Sequence, residues 1–282
     1  MSNIEMWGGV AGAWEQHAAF VEQHTAPATK RMFERADLQP GESVLELACG
    51  PGEIGFAAAK LVGPSGHVLL SDGAPEMIAV AERHAAGVAN VDTAVVDLDQ
   101  IDLPAASFDA VLVRHGLMFA ADRAATLRAI FGLLKPGGRL VTATWGRRED
   151  NPWIGLLFDA VGAQFGVEFP PPQASSPLSL DQPELLERLL TEAGFTDVHA
   201  EAVFSPSHLP SLEAWWQLVP QIAGPLATAM AGMEPAVREQ IRERALAAAA
   251  EVVRPTDDGQ IELGGSIIVA VGVSRSSPHP SA

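Results

Sequence analysis

Between residues 42 and 146, short β-branched and aliphatic runs alternate with amphipathic helical ones, and this rhythm constrains the fold more than any other feature. Strands are expected at 43–49, 67–72, 91–97, 108–114 and 139–145, with helices at 54–62, 75–87 and 122–134 between them. Proline opens the helix at 75 and glycine closes it at 87, which suits the opposite preferences of helix ends. Lys135-Pro136-Gly137-Gly138 stops the helix before it and turns the chain. Such alternation predicts an α/β fold: a mostly parallel sheet with right-handed crossovers and helices on both faces.

After Trp145 the rhythm breaks. The stretch 151–180 reads as a helix and an irregular, proline-rich excursion through Pro170-Pro171-Pro172. An amphipathic helix at 182–193 leads to a strand at 198–204, then 211–253 is helical and 265–274 is a last β-rich run. The organisation expected is an N-terminal helical lid at 1–38, a ligand-binding core at 39–146, and 147–275 as the rest of the same sheet with helical cap inserts. The polar, proline-containing tail at 276–282 is expected to be disordered.

Gly50-Pro51-Gly52-Glu53-Ile54-Gly55 matches G-x-G-x-x-G between a strand and a helix. Any nucleotide-like ligand that needs close backbone approach could use such a loop, so the flanking residues decide. A dinucleotide pyrophosphate favours free N–H donors at the helix start. Here Pro51 removes one donor, Glu53 places a negative charge there, and Glu46 adds another on the preceding strand. The site suits a cation with an amino group better than an anion, and S-adenosylmethionine carries both a sulfonium and an ammonium. An NAD-dependent oxidoreductase is the competing reading of the glycine pattern, and these same residues oppose it.

Asp72 follows Gly52 by 20 residues at the end of the second strand, where a carboxylate can accept both ribose hydroxyls. Asp97 ends the third strand, where an acid can accept from an adenine amino group. Each aspartate alone could equally be a cap or turn former. Their joint register with one glycine loop favours the ligand reading.

The run Val44 to Gly52 (Val-Leu-Glu-Leu-Ala-Cys-Gly-Pro-Gly) resembles the first motif of class I S-adenosylmethionine-dependent methyltransferases, with Ala48 where the family commonly has glycine. Ser71-Asp72-Gly73-Ala74-Pro75-Glu76-Met77 resembles the ribose segment, and Val96-Asp97-Leu98 the adenine contact. Leu103 to Val111 and Leu134 to Leu140 are similar to the fourth- and fifth-strand signatures, the best likeness being to the ubiquinone/menaquinone-biosynthesis-like group called type 11. The resemblance implies a Rossmann-like seven-stranded sheet with its last strand antiparallel, the strands at 198–204 and 265–274 completing it. It also implies that Glu46, Ala48, Gly50, Gly52, Asp72, Gly73, Met77, Asp97, Leu98 and Arg114 hold the cofactor. Arg114 would act through its backbone, its side chain being free for a surface ion pair.

His115, just beyond the fourth strand, is the candidate general base; it could instead position the cofactor's methionine end. Trp14, His17, Val21 and His24 recur at three- and four-residue spacing, as on one face of a lid helix or of an ordinary packed helix. Two histidines seven apart with no third ligand do not make a metal site.

Trp153, Phe158, Phe165, Phe169, Trp215, Trp216, Met230 and Met233 are either core or an apolar pocket for a hydrophobic or aromatic small-molecule methyl acceptor. Arg238, Arg242 and Arg244, interleaved with Glu239 and Glu243, read as a solvated face. The formal charge of −17, with no basic stripe, disfavours nucleic acids and anionic membranes. Cys49, the lone cysteine, fits a reducing compartment, so a cytoplasmic location is expected. A cofactor-binding protein that has lost turnover remains the non-enzymatic alternative.

Overall fold

A computed structural model describes residues 2–171 and 176–275. The tail expected to be disordered, 276–282, lies outside these residues, as does Pro172 of the proline run. The first six strands are β1 (Ser43–Leu47), β2 (His67–Asp72), β3 (Val91–Val95), β4 (Phe108–Arg114), β5 (Leu134–Trp145) and β6 (Thr196–Phe204). Three short strands follow, β7 (Ser207–Leu209), β8 (Arg254–Pro255) and β9 (Ile261–Leu263), before the long β10 (Ser266–Val273).

The main sheet has the order β3-β2-β1-β4-β5-β10-β6, with β10 antiparallel to both its neighbours, as expected. β1 lies between β2 and β4, with Glu46 opposite both Leu70 and Leu112. Val44, Leu45 and Leu47 are fully buried, as an apolar central strand covered on both faces should be. Chain order reverses between β1 and β4, and a crevice opens at the carboxyl ends of strands around such a point.

Eleven α-helices are described: α1 (Asn3–Gly8), α2 (Ala11–Gln16), α3 (Ala18–Ala36), α4 (Glu53–Val62), α5 (Pro75–Ala85), α6 (Arg123–Leu133), α7 (Pro152–Phe165), α8 (Pro183–Glu192), α9 (Leu212–Ile222), α10 (Gly224–Ala231) and α11 (Pro235–Ala250). The stretch expected to be helical at 211–253 holds three helices, with Pro225 in the first turn of α10 and Pro235 in that of α11.

The N-terminal segment is likewise three helices. Gly9 caps α1, and His17 leaves helical geometry between α2 and α3. Trp14 therefore belongs to α2 while Val21 and His24 belong to α3, and the expected single helical face does not exist.

Strand β5 absorbs the Lys-Pro-Gly-Gly turn as an irregularity. Phe108 pairs with Leu134 and Ala110 with Arg139, so the four turn residues bulge out of register, with Gly137 at φ +82°. Strands β7, β9 and β8 form a small antiparallel sheet that the sequence did not suggest.

Most of the apolar cap candidates are core. Phe158, Trp215, Trp216 and Met230 are buried, Trp215 donating its indole N–H to the Trp153 carbonyl at 2.6 Å, whereas Phe165 is 53% exposed. Arg242 bridges Glu213 and Glu239 on an exposed face. Among the described residues no helix is long and apolar enough to cross a membrane.

Candidate active site

β1 ends at Leu47, two residues earlier than expected, and the chain then makes a tight passage under backbone constraint. Ala48, Gly50 and Gly52 all take positive φ, at +53°, +55° and +96°. Left-handed geometry is unstrained for the two glycines and costs Ala48 roughly 1–2 kcal/mol. Gly52 then caps α4, where a Cβ would meet Leu70 and Phe56 at 2.9 Å.

Two acids hold this passage. Glu46 Oε2 accepts from the Gly55 amide at 2.7 Å, fixing the first turn of α4 to β1. The approach requires glycine, because a Cβ at 55 would lie 1.9 Å from Leu70 Cδ2. Asp72 Oδ2 accepts from the Gly50 amide and Oδ1 from the Ala74 amide, each at 2.9 Å. Asp97 stands in the turn after β3, where its Oδ1 accepts from the Asp99 amide at 3.0 Å. Both the turn-forming and the ligand-facing readings of these aspartates thus have a structural basis, since Asp72 and Asp97 also line the cavity above the loop.

That cavity, about 290 Å³, lies at the reversal of the sheet. Of the residues expected to hold a cofactor, Glu46, Ala48, Gly50, Asp72, Gly73, Met77, Asp97, Leu98 and Arg114 line it. Gly52 does not; it stands behind the loop. His115 lines the cavity as well. Its opposite end is apolar and aromatic: Phe20 and Val21 from α3, Trp145 from β5, Trp153 and Ile154 from α7. Ile222, Ala223 and Pro225, at the α9–α10 junction, close a further side. Of the apolar cap candidates, only Trp153 lines this space.

The N-terminal helices lie across the cavity and are tied there. Asn3 Nδ2 donates to the Phe119 carbonyl at 2.9 Å, Trp14 Nε1 donates to the Ile222 carbonyl at 2.8 Å, and Trp7 packs edge-on against Phe119. Arg114 reaches α3, donating to Thr25 Oγ1 at 2.7 Å and Thr29 Oγ1 at 3.0 Å, with Glu53 3.8 Å away. Its side chain is only 8% exposed, so the surface ion pair considered from sequence is a buried one.

Electrostatically the loop end is acidic. Burial pushes the Glu46 carboxyl up to about 8, against the pull of the nearby Arg114 guanidinium. Burial also raises Asp72, opposed by its backbone hydrogen bonds. The Cys49 thiol is raised by burial and then by the carboxylates of Glu46, Asp72 and Glu53, so the negative potential reaches a neighbouring side chain. The buried thiol is accordingly unreactive.

At the aromatic end the histidines are held neutral. His115, at φ +57°, stacks on Trp145 with centroids 4.0 Å apart and planes 2° apart. Both its ring nitrogens are buried without hydrogen-bond partners among the described residues, and burial, then Arg114, drive it well below its usual range. His24, which sequence reasoning placed only on a helix face, is 2% exposed and shifted by burial to about 4. Among the described residues no cluster of three or more His, Cys, Asp or Glu is arranged to hold a metal.

Sheet order, antiparallel last strand and acid-flanked glycine loop together define the Rossmann-like methyltransferase fold. Residues 38–165, a little under half of the chain, match the family model of a methyltransferase domain. The ubiquinone/menaquinone biosynthesis C-methyltransferase UbiE of Pasteurella multocida is 34% identical over 118 residues, 41% of this chain and 44% of that protein. The chain spans about half the length of such curated relatives. Among solved structures, the YcgJ protein of Bacillus subtilis superposes with a TM-score of 0.60 at 16% identity, over 89% of this chain and 99% of that one. Phosphoethanolamine N-methyltransferase 2 of Haemonchus contortus, solved with phosphomonomethylethanolamine and S-adenosylhomocysteine, gives 0.52 at 17% identity, over 93% of this chain and 53% of that one.

Proposed function

We propose that the chain transfers the methyl group of S-adenosylmethionine to a small hydrophobic or aromatic molecule. The observation that carries this reading is the union, in one cavity, of an acid-lined glycine loop with an aromatic compartment. The first end suits a cation with hydroxyl groups to donate, the second a flat apolar partner. The methyltransferase-domain match and the S-adenosylhomocysteine held by the nematode neighbour agree with it.

The donor set at the loop fits that cofactor. Glu46 keeps one carboxylate oxygen for an ammonium group while the other holds Gly55. Asp72 has lone pairs left for ribose hydroxyls after accepting from Gly50 and Ala74. Met77 and Leu98 offer apolar faces for a purine, with Asp97 at its edge, and Gly50 and Gly73 let it approach the backbone. When bound, the cofactor supplies an already activated methyl group, so the protein's remaining work is alignment and exclusion of water. The N-terminal helices act as the lid, strapped down by Trp14 and Asn3. His115, stacked on Trp145, orients the reacting partner through a ring nitrogen that has no partner among the described residues. The lone buried Cys49 supports a cytoplasmic setting.

Calorimetric titration with S-adenosylhomocysteine, beside NAD as a control, tests the cofactor assignment. Saturable one-to-one binding of the first alone is expected; binding of NAD alone would overturn it. A radiolabelled-methyl screen against aromatic acceptors then separates an enzyme from a binding protein that has lost turnover.

A further inference from the structure

His24 lies on α3, far in sequence from the glycine loop, yet lines the same cavity. Its imidazole is stacked between aromatic neighbours. Phe20 lies 5.7 Å away at 15°, Trp145 5.2 Å away at 18°, and Trp153 meets it edge-on at 4.6 Å. Its position is fixed from behind. The Ser205 hydroxyl donates to the His24 carbonyl, and Gly265 leaves so little room that a Cβ there would lie 3.1 Å from His24 Cε1.

One ring nitrogen is anchored and the other is open. Nδ1 is 3.1 Å from Ser207 Oγ, a hydroxyl that can accept from it. Nε2 is buried without a partner among the described residues. In the tautomer that donates from Nδ1 to Ser207, Nε2 carries the lone pair. A buried acceptor lacking a partner in a ligand cavity is a recognition element awaiting a donor.

We propose that His24 is the specificity-determining residue for the methyl acceptor, its Nε2 accepting a hydrogen bond from a hydroxyl group on a planar aromatic ring. The inference rests on the methyl-transfer reading above and specifies the acceptor chemistry. The flanking rings of Phe20, Trp145 and Trp153 supply the flat apolar walls, and offset stacking or edge contact with them sets the ring's plane. A neutral imidazole acceptor discriminates against rings without a proton to give, because they leave Nε2 unpaired. A carboxylate would find no charged imidazole at this end, since both His24 and His115 stay neutral, and the nearby Arg114 guanidinium already faces Glu53 at 3.8 Å.

The test is a binding experiment on the full chain saturated with S-adenosylhomocysteine, titrated with 2-naphthol and with 2-methoxynaphthalene, which keeps the ring and oxygen but lacks the proton. The wild type is expected to prefer 2-naphthol by about tenfold. His24→Phe, which keeps an aromatic ring in the stack, should bring the ratio close to one while S-adenosylhomocysteine affinity stays within about twofold. Equal affinities in the wild type, or a preference that survives in the variant, would overturn the proposal. If the variant does not fold, the ¹⁵N resonance of His24 Nε2 in the wild type decides. A shift with 2-naphthol and none with 2-methoxynaphthalene supports the proposal, and identical responses overturn it. Failure to bind S-adenosylhomocysteine counts against the methyl-transfer reading alone, and the naphthol ratio is then read on the cofactor-free chain.

Discussion

Ala48 and Gly116 face each other so closely that a Cβ on Gly116 would lie 2.4 Å from the Cβ of Ala48. The two residues follow the adjacent strands β1 and β4, where the chain leaves the sheet to form the floor of the cavity. Gly116→Ala should therefore destabilise the protein by about 1–3 kcal/mol in chemical denaturation. Ala48→Gly removes both the opposing methyl and the left-handed strain, and should rescue much of that loss in the double variant. A coupling energy below about 0.5 kcal/mol in the double-mutant cycle would show that the contact does not matter.

Asp72 joins the glycine loop to the start of α5 through two backbone amides, as well as facing the cavity. Asp72→Ala should weaken S-adenosylhomocysteine binding by roughly 1–3 kcal/mol in calorimetry, with a lower melting temperature because Gly50 and Ala74 lose their acceptor. Unchanged affinity would remove Asp72 from the binding site.

With its carboxyl raised to about 8 by burial, Glu46 is mostly protonated at neutral pH. A ligand ammonium favours the ionised form, so binding should release a proton. Affinity for S-adenosylhomocysteine should rise by up to about tenfold per pH unit between pH 6.5 and 8 and level off above. Glu46→Gln should bind more weakly with a flat profile. Calorimetry in buffers of different ionisation enthalpy would count the proton directly.

Folding stability should feel His24 and Glu46 in opposite directions. His24 binds its proton in the unfolded chain near pH 6.5 but in the folded one only near pH 4. Its contribution, roughly 3 kcal/mol, is present above pH 6.5 and lost as pH falls towards 4. Glu46 behaves inversely: its folded form holds a proton between about pH 4.5 and 8, so its contribution is present at low pH and lost as pH rises through that window. Denaturation across pH 4–8 should show His24→Phe with a weaker acid decline than wild type, and Glu46→Gln with a weaker decline towards pH 8. Identical slopes in all three proteins would contradict the burial of these groups.

His115→Phe preserves a ring against Trp145 but removes both nitrogens. Turnover should fall by about a hundredfold or more, with S-adenosylhomocysteine affinity within about twofold, if the imidazole takes part in proton removal. Equal losses in both would identify it as a residue that positions the cofactor.

The main sheet was legible because each of its strands is a run of β-branched or aliphatic residues bounded by glycine, proline or acidic turns, as at 43–47 and 67–72. The small sheet was not. Its strands are two or three residues long, too short for any period to register, and β7 pairs with β9 across more than fifty residues. The acids of the loop were recognisable from Glu46, Asp72 and Asp97, but not that Glu46 and Asp72 each commit oxygen atoms to backbone amides. His24 illustrates the deeper limit. Its spacing from Val21 marked a buried face, while the Ser207 that anchors its ring is 183 residues away. A polar residue among Val21, Ala28 and Met32 on an otherwise apolar stripe was the available signal.

The cavity draws its walls from two sources. Its glycine-loop end and the rings of Trp145 and Trp153 belong to the segment that matches the methyltransferase domain, residues 38–165, whereas Phe20, His24, Ile222 and Pro225 come from the chain on either side of it. On the proposed reading, a relative that aligns only with the central segment would share the donor loop and the rings of Trp145 and Trp153, but not Phe20 or His24. Selectivity of this kind is modular: it can diverge through the flanks alone, under no pressure to disturb the strands that carry the loop.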